Sequence, residues 1–362
     1  ATFTFKHALV RDTAYASLLR TTRAELHERV ATAIEERWPD QTETEPEVLA
    51  HHFTRANLPE QATPYWRKAG QNALERSANN EASAHFSAAL EQLEILPETS
   101  ERDNLELDLR LSLGPTLMAA RSYGADEVEA CYDRARDLAE RIKDSARLFT
   151  ARFGLWQMNN FRGNVTVASH YATELIDSTE ASEHSGRRLQ AHHTFSTSAL
   201  FLGNPLAVCE HARAGVALYD RDAHSDHKYL YGAHDPGVCG LGIDGVGSFL
   251  LGFPDRSSEM AEASLDLAHE LSHANTSAVA YCWLMATKYI HGDLPAVIEY
   301  GDAGNAFCEE YGLSNWQNYI SLVQAAARGK LGGTDETSEI SDRAERWRAA
   351  GTLNFWQWFL TL

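Results

Sequence analysis

Three stretches of this sequence place reactive residue types at spacings that could do chemistry. His269-Glu270-Leu271-Ser272-His273 spells H-E-x-x-H. On an unbroken helix, imidazoles four residues apart share one face and can hold zinc, with the intervening glutamate as general base. Catalysis would need a third ligand. Asp293 and Glu299 lie downstream, but Asp293 belongs to Gly292-Asp293-Leu294-Pro295, where aspartate ordinarily caps a turn, and no H-x-x-G-x-x-H extension follows His273. A structural reading is simpler. Ala261, Leu265, Ala268 and Leu271 continue one packed helical face and leave both histidines near the C-terminal end of that helix, where positive charge is favoured. No metal ligand or cofactor is therefore expected, and His269, Glu270 and His273 stand as the zinc-hydrolase alternative.

The second stretch, "HSDHKYLYGAHD" at 224–235, holds His224, His227 and His234 with Asp226 and Asp235. Three imidazoles and two carboxylates in a loop can bind a transition metal or form a pH-sensitive contact, although loop histidines are commonly just solvated. Loops between helical hairpins gather on one face and carry function, so His224, His227, Tyr231, His234 and Asp235 are the expected contact loop. The third, "GLGIDG" at 240–245, spells G-x-G-x-x-G. A dinucleotide site needs a strand before the glycines, whereas the turn-rich "YGAHDPGVC" precedes these, and close helix packing explains them better. No G-x-S-x-G occurs, and the five cysteines are scattered without a histidine context that would make one a nucleophile.

Composition narrows the classes. Against 32 Lys and Arg stand 51 Asp and Glu, a formal charge of −19, which argues against nucleic acid and against an anionic membrane surface as partners. No segment approaches the roughly 18 apolar residues of a membrane span. The cysteines form no C-x-x-C pair, as in a reducing compartment, and a cytoplasmic location is expected.

The elements that must position these residues read as helices. Period-two alternation is confined to Thr2-Phe3-Thr4-Phe5. By contrast, Val128, Cys131, Tyr132, Ala135, Leu138, Ala139 and Ile142 recur at three and four residues and form one apolar stripe. Thr22-Arg23-Ala24-Glu25 reads as a capping box at a helix start. Breakers at Gly163-Asn164, Gly203-Asn204-Pro205, Gly252-Phe253-Pro254-Asp255 and Gly292-Asp293-Leu294-Pro295 return about every 40 residues, a repeat period rather than a set of domain linkers. From Trp66, the order Trp66, Ala69, Gly70, Ala73, then Ala82, Phe86 and Ala89 follows tetratricopeptide spacing, in which small residues let two helices approach. About six helical hairpins are expected.

"FTFKHALVRDTAYASLLRTTRAELHERVA" (3–31) resembles the end of the winged-helix part of large bacterial signalling ATPases together with the first helices of their repeat region. "LPETSERDNLELDLRLSLG" (96–114), "YDRARDLAERI" (132–142), "YGAHDPGV" (231–238) and "LLGFPD" (250–255) resemble the C-terminal tetratricopeptide region of bacterial adenylate/guanylate cyclases that carry an AAA-type, STAND-like ATPase module. The resemblance implies an upstream class III cyclase domain, an ATPase switch, and repeats that serve as sensor or docking surface. No G-x-x-x-x-G-K-[ST] phosphate loop lies within the 362 residues, so the family's catalytic residues map onto none of them.

The sequence thus predicts an all-α, tetratricopeptide-like solenoid of antiparallel helical hairpins. Residues 1–20 are expected to be a remnant of the winged-helix end of an ATPase module, and residues 21–362 a repeat domain truncated at its C-terminus, where the apolar "FWQWFL" would face a missing repeat. The expected function is non-catalytic: a concave groove binds a protein, peptide or small effector and regulates the attached ATPase and cyclase. A free-standing interaction adaptor is the main alternative.

Overall fold

The computed structural model describes residues 8–179, 184–333 and 336–349. Thr2-Phe3-Thr4-Phe5 and "FWQWFL" lie outside them. The described residues form nineteen helices and no strand: α1 (Ala8–Ser17), α2 (Arg20–Arg37), α3 (Pro39–Thr44), α4 (Pro46–Arg55), α5 (Pro59–Glu75), α6 (Asn79–Glu94), α7 (Ser100–Ala120), α8 (Asp126–Ile142), α9 (Ser145–Arg162), α10 (Val165–Asp177), α11 (Ser185–Phe201), α12 (Pro205–Leu218), α13 (His227–Leu230), α14 (Pro236–Leu250), α15 (Pro254–Leu271), α16 (Ala274–Ile290), α17 (Leu294–Tyr311), α18 (Ser314–Lys330) and α19 (Glu336–Ala349). The fold is all-α, a tetratricopeptide-like solenoid of antiparallel hairpins. Packed pairs include α5/α6, α9/α10, α11/α12, α14/α15, α16/α17 and α18/α19.

The breakers work through backbone dihedrals. At Gly203, Gly252 and Gly292 φ is +72°, +87° and +78°, and a Cβ there would meet nothing within 4 Å. Glycine is required by the left-handed conformation that ends each helix, not by crowding. The next helix then starts on a cap: the side chains of Asn204 and Asp293 accept from the backbone N–H of Ala207 at 3.2 Å and Ala296 at 3.3 Å. The expected capping box at Thr22 is not formed. Helix α2 begins earlier, with Leu19 in extended backbone as its N-cap and the Arg23 N–H bonded to the Leu19 carbonyl at 3.0 Å, so Thr22 and Glu25 fall inside the helix.

Two compact units divide the chain, Ala1–Leu109 and Arg110–Leu362. In the first, α5 and α6 form the hairpin that the Trp66 to Ala89 spacing predicts. Ala69, Ala73, Ala82, Phe86 and Ala89 are buried, and a Cβ on Gly70 would stand 2.6 Å from the Phe86 ring. In the second unit the Tyr132 ring of α8 lies against both Gly114 of α7 and Gly154 of α9. Here crowding, not φ, demands glycine. Gly154→Ala is expected to cost about 3 kcal/mol by overpacking a fully buried ring. Gly252→Ala, strained only in φ, is expected to cost about 1 kcal/mol. Urea unfolding of both variants checks the order.

Within the second unit the helices sort into two kinds. Helices α10, α12, α15 and α17 bury a single stripe, whereas α9, α11, α14, α16 and α18 are buried almost all round. The latter, each the first helix of its hairpin, pack on one another in succession.

Candidate functional site

The connection between α12 and α14 carries the short helix α13; Arg221, Asp222, Ala223, Ser225 and Asp226 face solvent, while His224 and the stretch from Tyr231 to Asp235 turn inward. Of the residues expected to form a contact loop, His224, Tyr231, His234 and Asp235 are buried, and His227 is half-buried. The cause is that each finds a partner inside. His224 accepts from the Asp220 N–H at 3.0 Å on Nδ1 and meets the Ser185 hydroxyl at 3.3 Å on Nε2. The Gln190 amide donates to His227 Nδ1 at 2.9 Å. Tyr231 packs edge-on against Phe153, with ring centres 5.1 Å apart. Asp235 caps α14, accepting from the N–H groups of Gly237 at 2.9 Å and Val238 at 3.1 Å, and from the Tyr219 hydroxyl at 3.1 Å.

The loop backbone is held as firmly. Gly232 and Ala233 both adopt positive φ, +70° and +60°. The carbonyls they present are taken up: Tyr123 donates to Gly232 O at 3.1 Å, and Asn275 of α16 donates to Ala233 O at 2.5 Å. Asn275 in turn accepts from the Trp316 indole of α18 at 2.8 Å. One amide therefore joins the loop to two helices.

The H-E-x-x-H motif is broken by the fold. Helix α15 ends at Leu271, Ser272 takes a left-handed φ of +50°, and His273 is the N-cap of α16, accepting from the Thr276 N–H. Both histidines were expected near the end of one helix, but a helix boundary falls between them, so His269 and His273 share no helical face. His269 lies by Tyr281 and His273 by Tyr229, while Glu270 forms an exposed ion pair with Arg221 at 2.9 Å. The G-x-G-x-x-G glycines lie inside α14, where Gly242 admits the Trp283 side chain of α16 and Gly245 the backbone of α15. They serve helix packing.

Where α9, α11, α14, α16 and α18 meet the loop, a small cavity lined by buried residues remains. About 20 Å³ of it can be reached by the centre of a water molecule. Trp156, Phe161, Trp283 and Trp316 wall it with rings; Gln157, Asn160, His193, His234 and Cys239 supply polar atoms. Among these, Gln157 Oε1, both amide atoms of Asn160 and His234 Nε2 are buried without a hydrogen-bond partner. An unsatisfied buried polar group ordinarily costs about 1–3 kcal/mol, and four such atoms on one cavity make it a candidate site. Burial holds both imidazoles neutral: His234 is lowered to about 4, and His193 lies well below its ordinary value, with His234 adding to the effect. Burial also pushes the Cys239 thiol up to about 12, against the pull of the Trp283 indole beside it.

His193, Gln157, Asn160 and Cys239 were not singled out from the sequence. A signal was present in "LQAHHTFSTSA", 189–199, where polar residues occupy every face of a helix that must nevertheless be buried. A second and larger opening, of about 460 Å³, lies at α18 and α19 and is lined by Arg121, Asn315, Asn318, Arg343 and Arg346.

No protein-family model matches the chain. An uncharacterized protein of Rhizobium meliloti (strain 1021) is 27% identical over 277 residues, which is 76% of this chain and 26% of that protein. The chain thus spans about a quarter of the length of this relative. Among solved structures, a Rap protein complexed with competence and sporulation factor is similar at a TM-score of 0.54 and 12% identity, over 83% of this chain and 79% of that one. A signal transduction ATPase with numerous domains (STAND) with a tetratricopeptide repeat sensor, from Pyrococcus horikoshii, aligns at a TM-score of 0.46 and 11% identity, over 90% of this chain and 47% of that one. The likeness to Rap shows the fold, a stack of tetratricopeptide-like hairpins. Among the described residues no helix is long and apolar enough to cross a membrane.

Proposed function

We infer that this chain is a non-catalytic sensor or docking repeat domain, which binds a protein, peptide or small effector and regulates an ATPase and a class III nucleotide cyclase in a longer polypeptide. The observation that carries the reading is the fold: stacked antiparallel hairpins, shared over 83% of the chain with a Rap protein that was solved in complex with competence and sporulation factor. Stacked hairpins offer extended surfaces to partners because each repeat contacts only its neighbours and leaves a continuous face. The family resemblance supplies the attached domains, and on it residues 1–20 are the end of the winged-helix part.

The opening at α18 and α19 suits a small effector. Its 460 Å³ falls in the range of about 300–1,000 Å³ typical of ligand sites. Three guanidinium-bearing residues border it in a chain of charge −19, so a carboxylate or phosphate on the effector would be favoured there. Regulation requires that the effector bind one state of the attached switch more tightly than the other. Deletion of residues 1–362 from the full-length polypeptide is expected to change its rate of ATP turnover by at least several-fold. An unchanged rate would leave a tether with no regulatory role.

A further inference from the structure

Two histidines and a cysteine from three different segments converge on this cavity: His193 from α11, His234 from the α12–α14 connection and Cys239 from the first turn of α14. One ligating atom from each lies within 4.8 Å of the others. We propose that His193, His234 and Cys239 form a binding site for a zinc-type divalent transition ion, with one remaining coordination position open to water.

The hydrogen bonds around the two imidazoles prepare them as ligands. His234 Nδ1 lies 2.7 Å from the Gly232 carbonyl, which can only accept, so Nδ1 carries the proton and Nε2 presents its lone pair. His193 Nδ1 lies 3.2 Å from Gln190 Oε1, and that amide is oriented by donating its N–H to His227, so His193 Nε2 is likewise the bare nitrogen. A ring nitrogen anchored to a carbonyl or amide oxygen, with its opposite nitrogen aimed at the ion, is the usual outer-sphere arrangement of metal-bound histidine.

Charge and space fit a divalent ion. Binding replaces the Cys239 S–H bond with a metal–sulfur bond and releases that proton to solvent, leaving a thiolate as ligand. Two neutral imidazoles and one thiolate leave one positive charge. Asp235, one turn before Cys239, is buried with its carboxylate held by two backbone N–H groups, and its charge is felt at the Cys239 thiol. Nitrogen and sulfur ligands in a site of this size select zinc-like tetrahedral ions over magnesium or calcium, which prefer oxygen. The cavity of about 20 Å³ has room for one water as fourth ligand, and the unpartnered Gln157 Oε1 and Asn160 Oδ1 line that same cavity as acceptors for its protons. Buried on every side, the ion would tie the loop to α11 and α14.

The test uses the purified 362-residue chain, stripped with chelator and then titrated with Co2+ and with Zn2+. One equivalent of Co2+ is expected to give a thiolate-to-metal charge-transfer band with the intense visible bands of tetrahedral cobalt, and Zn2+ is expected to displace it. Cys239→Ser should abolish the charge-transfer band. Gln190→Ala, which removes only the group that orients His193, should weaken binding by about 10–100-fold. Circular dichroism establishes that each variant keeps its helices. His269→Ala and Cys131→Ala, neither of which lines the cavity, should leave the spectrum intact. A wild-type chain that binds no Co2+, one that binds Co2+ without a thiolate band, or a band that survives Cys239→Ser would overturn the proposal.

Discussion

Lowering the pH from 7 to 5 is expected to remove about 4 kcal/mol of folding stability through two histidines alone. Burial lowers His273 to about 3, with Lys228 and His234 adding to the effect, and lowers His227 to about 4, helped by His224. The ordinary value is 6.5. Below pH 6.5 the unfolded chain takes up protons that these buried rings refuse until about pH 4 or 3. Stability therefore falls as pH drops through that window and does not depend on these groups above pH 7. At pH 5 each ring contributes about 2 kcal/mol of loss, at 1.36 kcal/mol per pH unit. Against a total of about 5–15 kcal/mol for a folded domain, that is a large fraction. Urea unfolding at pH 7 and pH 5, at constant salt and with chelator present, measures it. Equal midpoints at the two pH values would mean that these rings are solvated rather than buried.

Asn275→Ala should cost about 4 kcal/mol. The amide donates to the Ala233 carbonyl and accepts from the Trp316 indole, and all three residues are buried. Its removal strands both partners, at about 1–3 kcal/mol each, and frees the Tyr123 hydroxyl from its 3.3 Å contact. The loss is greater than for an exposed amide. Asn72→Ala, which gives up a bond to the Glu43 carbonyl at the surface, is expected to change stability by less than about 1 kcal/mol. Denaturant unfolding of the two variants side by side separates a buried junction from a surface contact, and similar small losses would show that Asn275 does not hold the loop.

These two junctions mark where the sequence could and could not be read. Helices and breakers were legible because each depends on a few neighbouring residues. Gly203, Gly252 and Gly292 end helices through φ alone, and the Trp66 to Ala89 spacing describes contacts within one hairpin. The helix boundary inside His269–His273 was not legible, because Ser272 adopts a left-handed φ that its residue type does not advertise. The histidines of the loop at 224–235 are visible in the sequence, but the burial of His224 and His234 is not. Its polarity is equally compatible with solvent, whereas its partners Ser185, Gln190, Asn275 and Thr276 lie about 40 residues away in sequence and are brought to it by packing. The cavity at His193, His234 and Cys239 was least visible of all. It joins three segments whose proximity only the stacking of α11 and α14 creates, and nothing within the local sequence of any one of them points to the other two.

The regulatory reading stands or falls most directly on cyclic nucleotide formation from ATP by the full-length polypeptide, measured with residues 1–362 present and deleted. A rate that changes on deletion, in either direction, is the expected result and makes the repeat stack a control element of the cyclase. A polypeptide that forms cyclic nucleotide at the same rate with and without these residues, or forms none in either case, would contradict it.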